Sequence, residues 1–201
     1  MNSFLVTVAS SYLLGSIPFG YILVRIFRGQ DVRKTGSGNI GATNVSRTSP
    51  ILGALTLLLD ALKGFAAVAL ARAWYPDQKM LLGLAAFMAT AGHVFPLWLK
   101  FKGGKGVATA FGAFLLVAPT TILLMIGVFA IVAALSRQVS LASIVTVALF
   151  PLVAWILNSN PDTPQMLAFM AAASILIIAK HHENMKRLLA GTEPRMQWRR
   201  G

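Results

Sequence analysis

Hydrophobic residues along this chain come in long unbroken runs, and polar residues gather between the runs rather than alternating with them. Apolar stretches cover Phe4 to Val24, Ile51 to Ala71 and Met80 to Leu99, each near the roughly 20 residues an α-helix needs to cross a bilayer core. Two more follow, from Leu141 to Leu157 and from Gln165 to Ala179. The last is introduced by PDTP, where Asp162 or Thr163 can cap the helix and Pro164 can occupy its first turn. The N-terminal run lacks the basic segment of a signal peptide and continues apolar for too long, so it is read as the first span.

Val107 to Leu135 admits two readings. As one helix it would measure about 43 Å at about 1.5 Å per residue, against a hydrocarbon core of about 30 Å. Pro119, followed by Thr120 and Thr121, offers a break near its middle. Two helices of about 12 residues would each be short, so the bilayer thins there or the pair is partly re-entrant.

Charge separates the two readings. With two helices the chain has seven spans, and one side receives Arg25, Arg28, Arg33, Lys34, Arg47, Lys100, Lys102, Lys105, Arg137, Lys180, Lys186, Arg187, Arg195, Arg199 and Arg200. That is 15 of the 18 basic residues. The other side receives Arg72 and Lys79, and Lys63 lies inside the second span. With one helix the split becomes 8 against 9. The positive-inside rule therefore predicts seven spans, with the N-terminus outside and the C-terminus in the cytoplasm. The expected fold class is all-α, a polytopic integral membrane protein forming one domain over residues 1–201, without internal repeats.

Composition agrees: 56% of the 201 residues are hydrophobic and only 12% charged, which excludes a soluble domain of this size. The absence of cysteine excludes disulfides, thiolate metal sites and a cysteine nucleophile. A formal net charge of +12 points to anionic lipid headgroups or anionic substrates. Nucleic acid is a poor match, because the charges sit in short clusters bracketing apolar spans and lack interleaved aromatic platforms.

Three polar clusters share the predicted cytoplasmic face. In RKTGSGNIGATNVSR, residues 33 to 47, Gly36, Gly38 and Gly41 alternate with Ser37, Asn39, Thr43 and Asn44. Backbone N–H groups in such a turn form an anion nest, to which Arg33, Lys34 and Arg47 add charge. Either a phosphate site or a solvated basic loop over headgroups fits this composition. In GHVFPLWLKFKGGKGVAT, Gly103, Gly104 and Gly106 surround Lys105 just before a helix start, whose N–H groups favour an anion. The spacing is not that of a P-loop, which needs Ser or Thr after its lysine, so the cluster is a poor match for an ATP or GTP site. In HHENMKRLLAGTE, His181, Asn184 and Leu188 share one helical face, and the side chain of Arg187 can reach it. Lys186, Arg195, Arg199 and Arg200 are read as membrane-surface charges.

Asp60 and Lys63, at i and i+3 inside the second span, read as a structural ion pair in preference to a catalytic one. His93 fits either a structural histidine or a proton carrier. Trp74, Tyr75 and Trp98 are interfacial anchors. His181 and His182 are adjacent and point apart, without a carboxylate cluster, so no metal is implied.

Together SGNIGATN with Arg47, GHVFPLWLKFKGGKGVAT, and the pattern H-x-x-N-x-x-R-L-x-x-G-x-E at 181 to 193 resemble the bacterial acyl-phosphate:glycerol-3-phosphate acyltransferases. The resemblance runs the length of the chain. It implies an inner-membrane enzyme with seven helices and a cytoplasm-facing site, and a monomer is the expected state. Such an enzyme transfers a fatty acyl group from acyl phosphate to the 1-hydroxyl of glycerol 3-phosphate, making lysophosphatidic acid without a metal or organic cofactor. The resemblance places Ser37, Arg47 and Lys105 on glycerol 3-phosphate, and Asn39, Gly41, Thr43, His181 and Asn184 around the acyl phosphate. Gly38, Asn44, His93, Lys102, Gly103, Gly104, Gly106 and Arg187 complete the expected binding set. No His-x4-Asp pattern is present, which separates the chain from acyl-CoA-dependent acyltransferases. An anion transporter and a lipid-binding scaffold are the competing classes.

Overall fold

The computed structural model describes residues 2–157 and 164–196, and all regular structure among them is helical. Asp162, Thr163, Arg199 and Arg200, which carry the expectations of a helix cap and of terminal surface charge, lie outside the described residues. The chain forms α1 (Ser3–Gly15), α2 (Phe19–Arg28), α3 (Ala42–Thr48), α4 (Pro50–Trp74), α5 (Lys79–Val94), α6 (Val107–Leu115), α7 (Pro119–Ser136), α8 (Val139–Ile156), α9 (Pro164–Ala179) and α10 (His182–Leu189). Five segments are long and apolar enough to cross a membrane: Ser3–Arg28, Pro50–Trp74, Lys79–Leu99, Pro119–Ser136 and Val139–Ile156. A sixth is added if α9 and α10, which meet at a 58° bend, count as one.

The first span is not one helix. Pro18 lacks an N–H and disfavours helical backbone at Ile17, so α1 stops at Gly15 and α2 begins at Phe19. The break leaves the Ile17 carbonyl outside a regular helix ladder, and the Lys63 ammonium of α4 donates to it at 2.7 Å. The break expected near Pro119 is present, but the halves are unequal, with 9 residues in α6 and 18 in α7. Pro119 opens α7, where its missing N–H costs nothing, and α6 ends earlier, at Leu115.

At about 1.5 Å per residue α6 falls well short of the core thickness, and it is held by close packing on α4. A Cβ on Gly64 would stand 2.1 Å from Thr109 O, and one on Gly112 would stand 1.9 Å from Ala61 O. The two backbones therefore touch, as small residues allow in membrane helix pairs. Beside this contact the main core gathers Val68, Phe114, Ile122, Met125, Phe150 and Ile177, with the Phe114 and Phe150 rings 5.2 Å apart. Leu57, Leu58, Leu123, Ile131, Ile156 and Ile175 are exposed on the outside of the bundle, which is the pattern of a lipid-facing surface.

A second apolar cluster lies under the polar loops. Val24 of α2, Leu52 of α4 and Leu99, which follows α5, enclose Val32, Ile40 and Val45 from the segment around α3. It anchors two of the three polar clusters to one end of the bundle.

Candidate active site

The loop before α3 is built around Asn44, which is buried. Its Oδ1 accepts from the Ser37 N–H at 2.8 Å, and its Nδ2 faces the carbonyls of Val32, Thr35 and Asn39 at 3.1, 3.0 and 2.9 Å. The amide of Asn44 is thus engaged within its own loop, which it holds in shape. Asn39 Oδ1 closes a turn by accepting from the Gly41 N–H at 2.8 Å. Ser37, Gly38 and Thr43 remain exposed. Arg47, in the last turn of α3, lies beside Gly36, with its Nη1 3.4 Å from where a Cβ on that glycine would stand.

The second loop leaves α5, makes a short turn at Leu97–Leu99 and reverses direction through Lys100 and Phe101, both with positive φ (53° and 61°). Two successive non-glycine residues there cost on the order of 1 kcal/mol or more each, strain of the kind found at functional loops. The chain then folds back on α5, with Gly103 N–H donating to Val94 O at 3.2 Å and Gly104 N–H to His93 O at 3.1 Å. Gly106, at φ +91°, starts α6. Lys102 is exposed and Lys105 is partly buried.

His93 lies beneath this loop rather than in it. Its side chain is 5% exposed, its Nδ1 stands 3.0 Å from Lys63 Nζ and 3.5 Å from Asp60 Oδ1, and Gly103 and Gly104 cover it. His93, expected among the substrate-binding residues, is thus buried in an ion cluster with Asp60 and Lys63. The Asp60–Lys63 pair forms as expected, with Nζ 2.7 Å from Oδ1 as an ion contact.

The third cluster completes the site. His181 caps α10, and its Nδ1 donates to Ile177 O at 2.7 Å, since a carbonyl can only accept. That bond leaves Nε2 as the free acceptor. Asn184 Nδ2 donates to Glu193 Oε1 at 2.6 Å, and Arg187 Nε donates to Glu193 Oε2 at 2.7 Å. The other end of the Asn184 amide, Oδ1, accepts from Lys105 Nζ. A continuous chain of bonds thus runs from the Lys105 loop to α10 and the segment after it. Glu193 was not among the expected site residues. An acid retained inside a strongly basic cluster, in a chain with only 6 acidic residues, was the signal for it.

Electrostatics tie the clusters together. Burial first, then the nearby Arg187 and Arg47, lower the Lys105 pKa to about 8, with Glu193 opposing them. His181 is lowered to about 4, chiefly by burial and further by Lys105. Burial would raise Glu193, but the hydrogen bonds from Asn184 and Arg187 contribute to holding it below its ordinary value. Lys105 is therefore a partly desolvated cation that feels both Arg187 and Arg47, beside a neutral imidazole.

A helical bundle with a lipid-facing exterior, carrying at one end a cationic, glycine-rich site fed by three loops, defines a membrane protein equipped for anionic substrates. The family described as glycerol-3-phosphate acyltransferase matches residues 5–191. The glycerol-3-phosphate acyltransferase of Sinorhizobium medicae is 48% identical over 197 residues, covering 98% of this chain and 94% of that one. That of Syntrophotalea carbinolica is 42% identical, covering 98% and 100%. The crystal structure of PlsY, an integral membrane glycerol 3-phosphate acyltransferase, in its glycerol 3-phosphate form superposes with a TM-score of 0.91 at 37% identity, covering 98% of this chain and 96% of that one. Its lysophosphatidic acid form gives 0.88 at 36%. The chain belongs to the glycerol-3-phosphate acyltransferase family and is an integral membrane protein.

Proposed function

We propose that the protein transfers a fatty acyl group from acyl phosphate to the 1-hydroxyl of glycerol 3-phosphate, releasing lysophosphatidic acid and inorganic phosphate. The observation that carries this reading is the Lys105–Asn184 bond, which joins the glycine loop to α10 within electrostatic reach of Arg47 and Arg187. Acyl phosphate is an activated mixed anhydride, so the protein needs chiefly to bring two phosphates together and stabilise developing negative charge. The hydroxyl oxygen attacks the acyl carbonyl carbon, the bond to the phosphate oxygen breaks, and a substrate phosphate oxygen takes the hydroxyl proton. Ser37, Arg47 and Lys105 hold glycerol 3-phosphate. Asn39, Gly41, Thr43, His181 and Asn184 surround the acyl phosphate, with Gly38, Lys102, Gly103, Gly104, Gly106 and Arg187 shaping the site. The enzyme works as a monomer in the bacterial inner membrane. Seven spans place the N-terminus outside and these three clusters in the cytoplasm. A cysteine introduced beside Pro119 is then labelled from outside, and labelling only from the cytoplasm overturns that topology.

Purified protein given glycerol 3-phosphate forms product with palmitoyl phosphate and not with palmitoyl-CoA. Product from the CoA thioester alone contradicts the donor assignment, and tight binding without turnover supports a transporter or scaffold.

The pH profile follows from Lys105. Below about pH 8 its ammonium is charged, and that charge is lost as pH rises through this value, so kcat/KM falls above about pH 8. A bound phosphate favours the charged form, so the corresponding limb of kcat lies at higher pH. A kcat/KM that continues to rise to pH 10 contradicts this role.

A further inference from the structure

The Asp60–Lys63–His93 cluster takes no part in the proposed reaction, yet it sits directly under the loop that carries Lys105. All three residues are buried, at 2%, 4% and 5% exposure. An acid and a base inside an apolar span are costly, and packing alone would be served as well by aliphatic side chains of similar volume.

The cluster joins pieces that are otherwise held separately. Lys63 Nζ reaches the broken-helix carbonyl of Ile17 at 2.7 Å, Asp60 Oδ1 at 2.7 Å and His93 Nδ1 at 3.0 Å. The contacts at Nδ1 fix one edge of the imidazole, and the opposite edge faces the loop. A Cβ on Gly104 would stand 2.0 Å from His93 Nε2 and 2.9 Å from both Cδ2 and Cε1. The ring therefore lies against the backbone of Gly104, whose N–H also bonds His93 O at 3.1 Å. The next residue is Lys105. The ring thus contacts the backbone directly before Lys105, whose side chain is held at its other end by Asn184.

We propose that Asp60, Lys63 and His93 are positioning residues for the transfer reaction, fixing the His93 ring as the floor on which Gly104 rests and so setting where Lys105 meets its phosphate. The proposal rests on the reading of Lys105 as a phosphate-holding cation.

The test uses purified protein in detergent, with the Kd and stoichiometry of glycerol 3-phosphate measured by calorimetry and turnover measured with palmitoyl phosphate. Asp60→Asn, close in shape to the native residue, raises Kd about tenfold through misplacement of Lys105 while the stoichiometry of folded protein holds. A purely structural role lowers the binding-competent fraction and leaves Kd unchanged, which overturns the proposal. Gly104→Ala drives a methyl group into the His93 ring and lowers kcat/KM by about a hundredfold. Adding His93→Ala frees that space, and the double variant recovers about tenfold over Gly104→Ala. A double variant whose loss is the product of the two single losses overturns the proposal. Wild-type protein that binds glycerol 3-phosphate but does not turn over palmitoyl phosphate fails the functional reading instead, and the Kd comparison still decides the positioning role.

Discussion

Lys105→Ala lowers kcat/KM by about a thousandfold while the protein remains folded in detergent, as removal of a charged stabiliser from a preorganised site does. The ammonium is partly desolvated, which strengthens its attraction for a phosphate compared with a lysine in water. It also donates to Asn184, so its loss strands one end of an amide whose other end is held by Glu193. Lys105→Arg restores the charge with a planar fork that does not fit the same geometry, and recovers only part of the activity. Steady-state kinetics with both substrates varied, alongside size-exclusion profiles of each variant, check this. Near-normal turnover of Lys105→Ala removes the residue from the site.

Asn44→Ala has the second large effect, and on stability as well as on rate. The substitution takes the partner from the Ser37 N–H and the Asn39 carbonyl beneath a folded loop, while the carbonyls of Val32 and Thr35 keep other donors, from Thr35 and from the Gly38 N–H. An unsatisfied buried group costs about 1–3 kcal/mol, so the loop loses on the order of 3 kcal/mol in total, since part of it reaches water. The unfolding midpoint measured without substrate falls by several degrees, and activity falls about a hundredfold as Ser37 and Arg47 lose their positions. A residue that merely contacted substrate would leave the substrate-free midpoint unchanged, so the thermal measurement separates the two roles.

The sequence made some elements readable because one residue dictates them. Pro119 opens a new helix within a long apolar run, the position a residue without an N–H favours, whereas Pro151 is carried inside the continuous α8. Pro18 likewise stands at a helix start, yet its short neighbouring helices remain one apolar stretch, so the run masked the break. The freed Ile17 carbonyl becomes evident only with the Lys63 ammonium beside it. Three loops rich in Gly, Lys, Arg, Ser and Asn marked where to look for an anion site. Composition does not say which polar groups are free, and the amide of Asn44 is engaged across twelve residues of chain. Likewise His93 and Lys105 are twelve residues apart in one motif, but the fold buries one beneath the glycines and keeps the other at the junction with Asn184. Glu193 was quoted with its motif, but its role depends on the chain folding back after α10 to meet Asn184 and Arg187.

The central claim is that Lys105 stands where the three clusters meet and holds a substrate phosphate there. Determining the structure of this protein with glycerol 3-phosphate bound tests it most directly. The account predicts a phosphate oxygen within hydrogen-bonding distance of Lys105 Nζ, with Arg47 and the Ser37 loop on the same phosphate. A phosphate bound elsewhere, with the Lys105 ammonium turned away from it toward Asn184 alone, would contradict it.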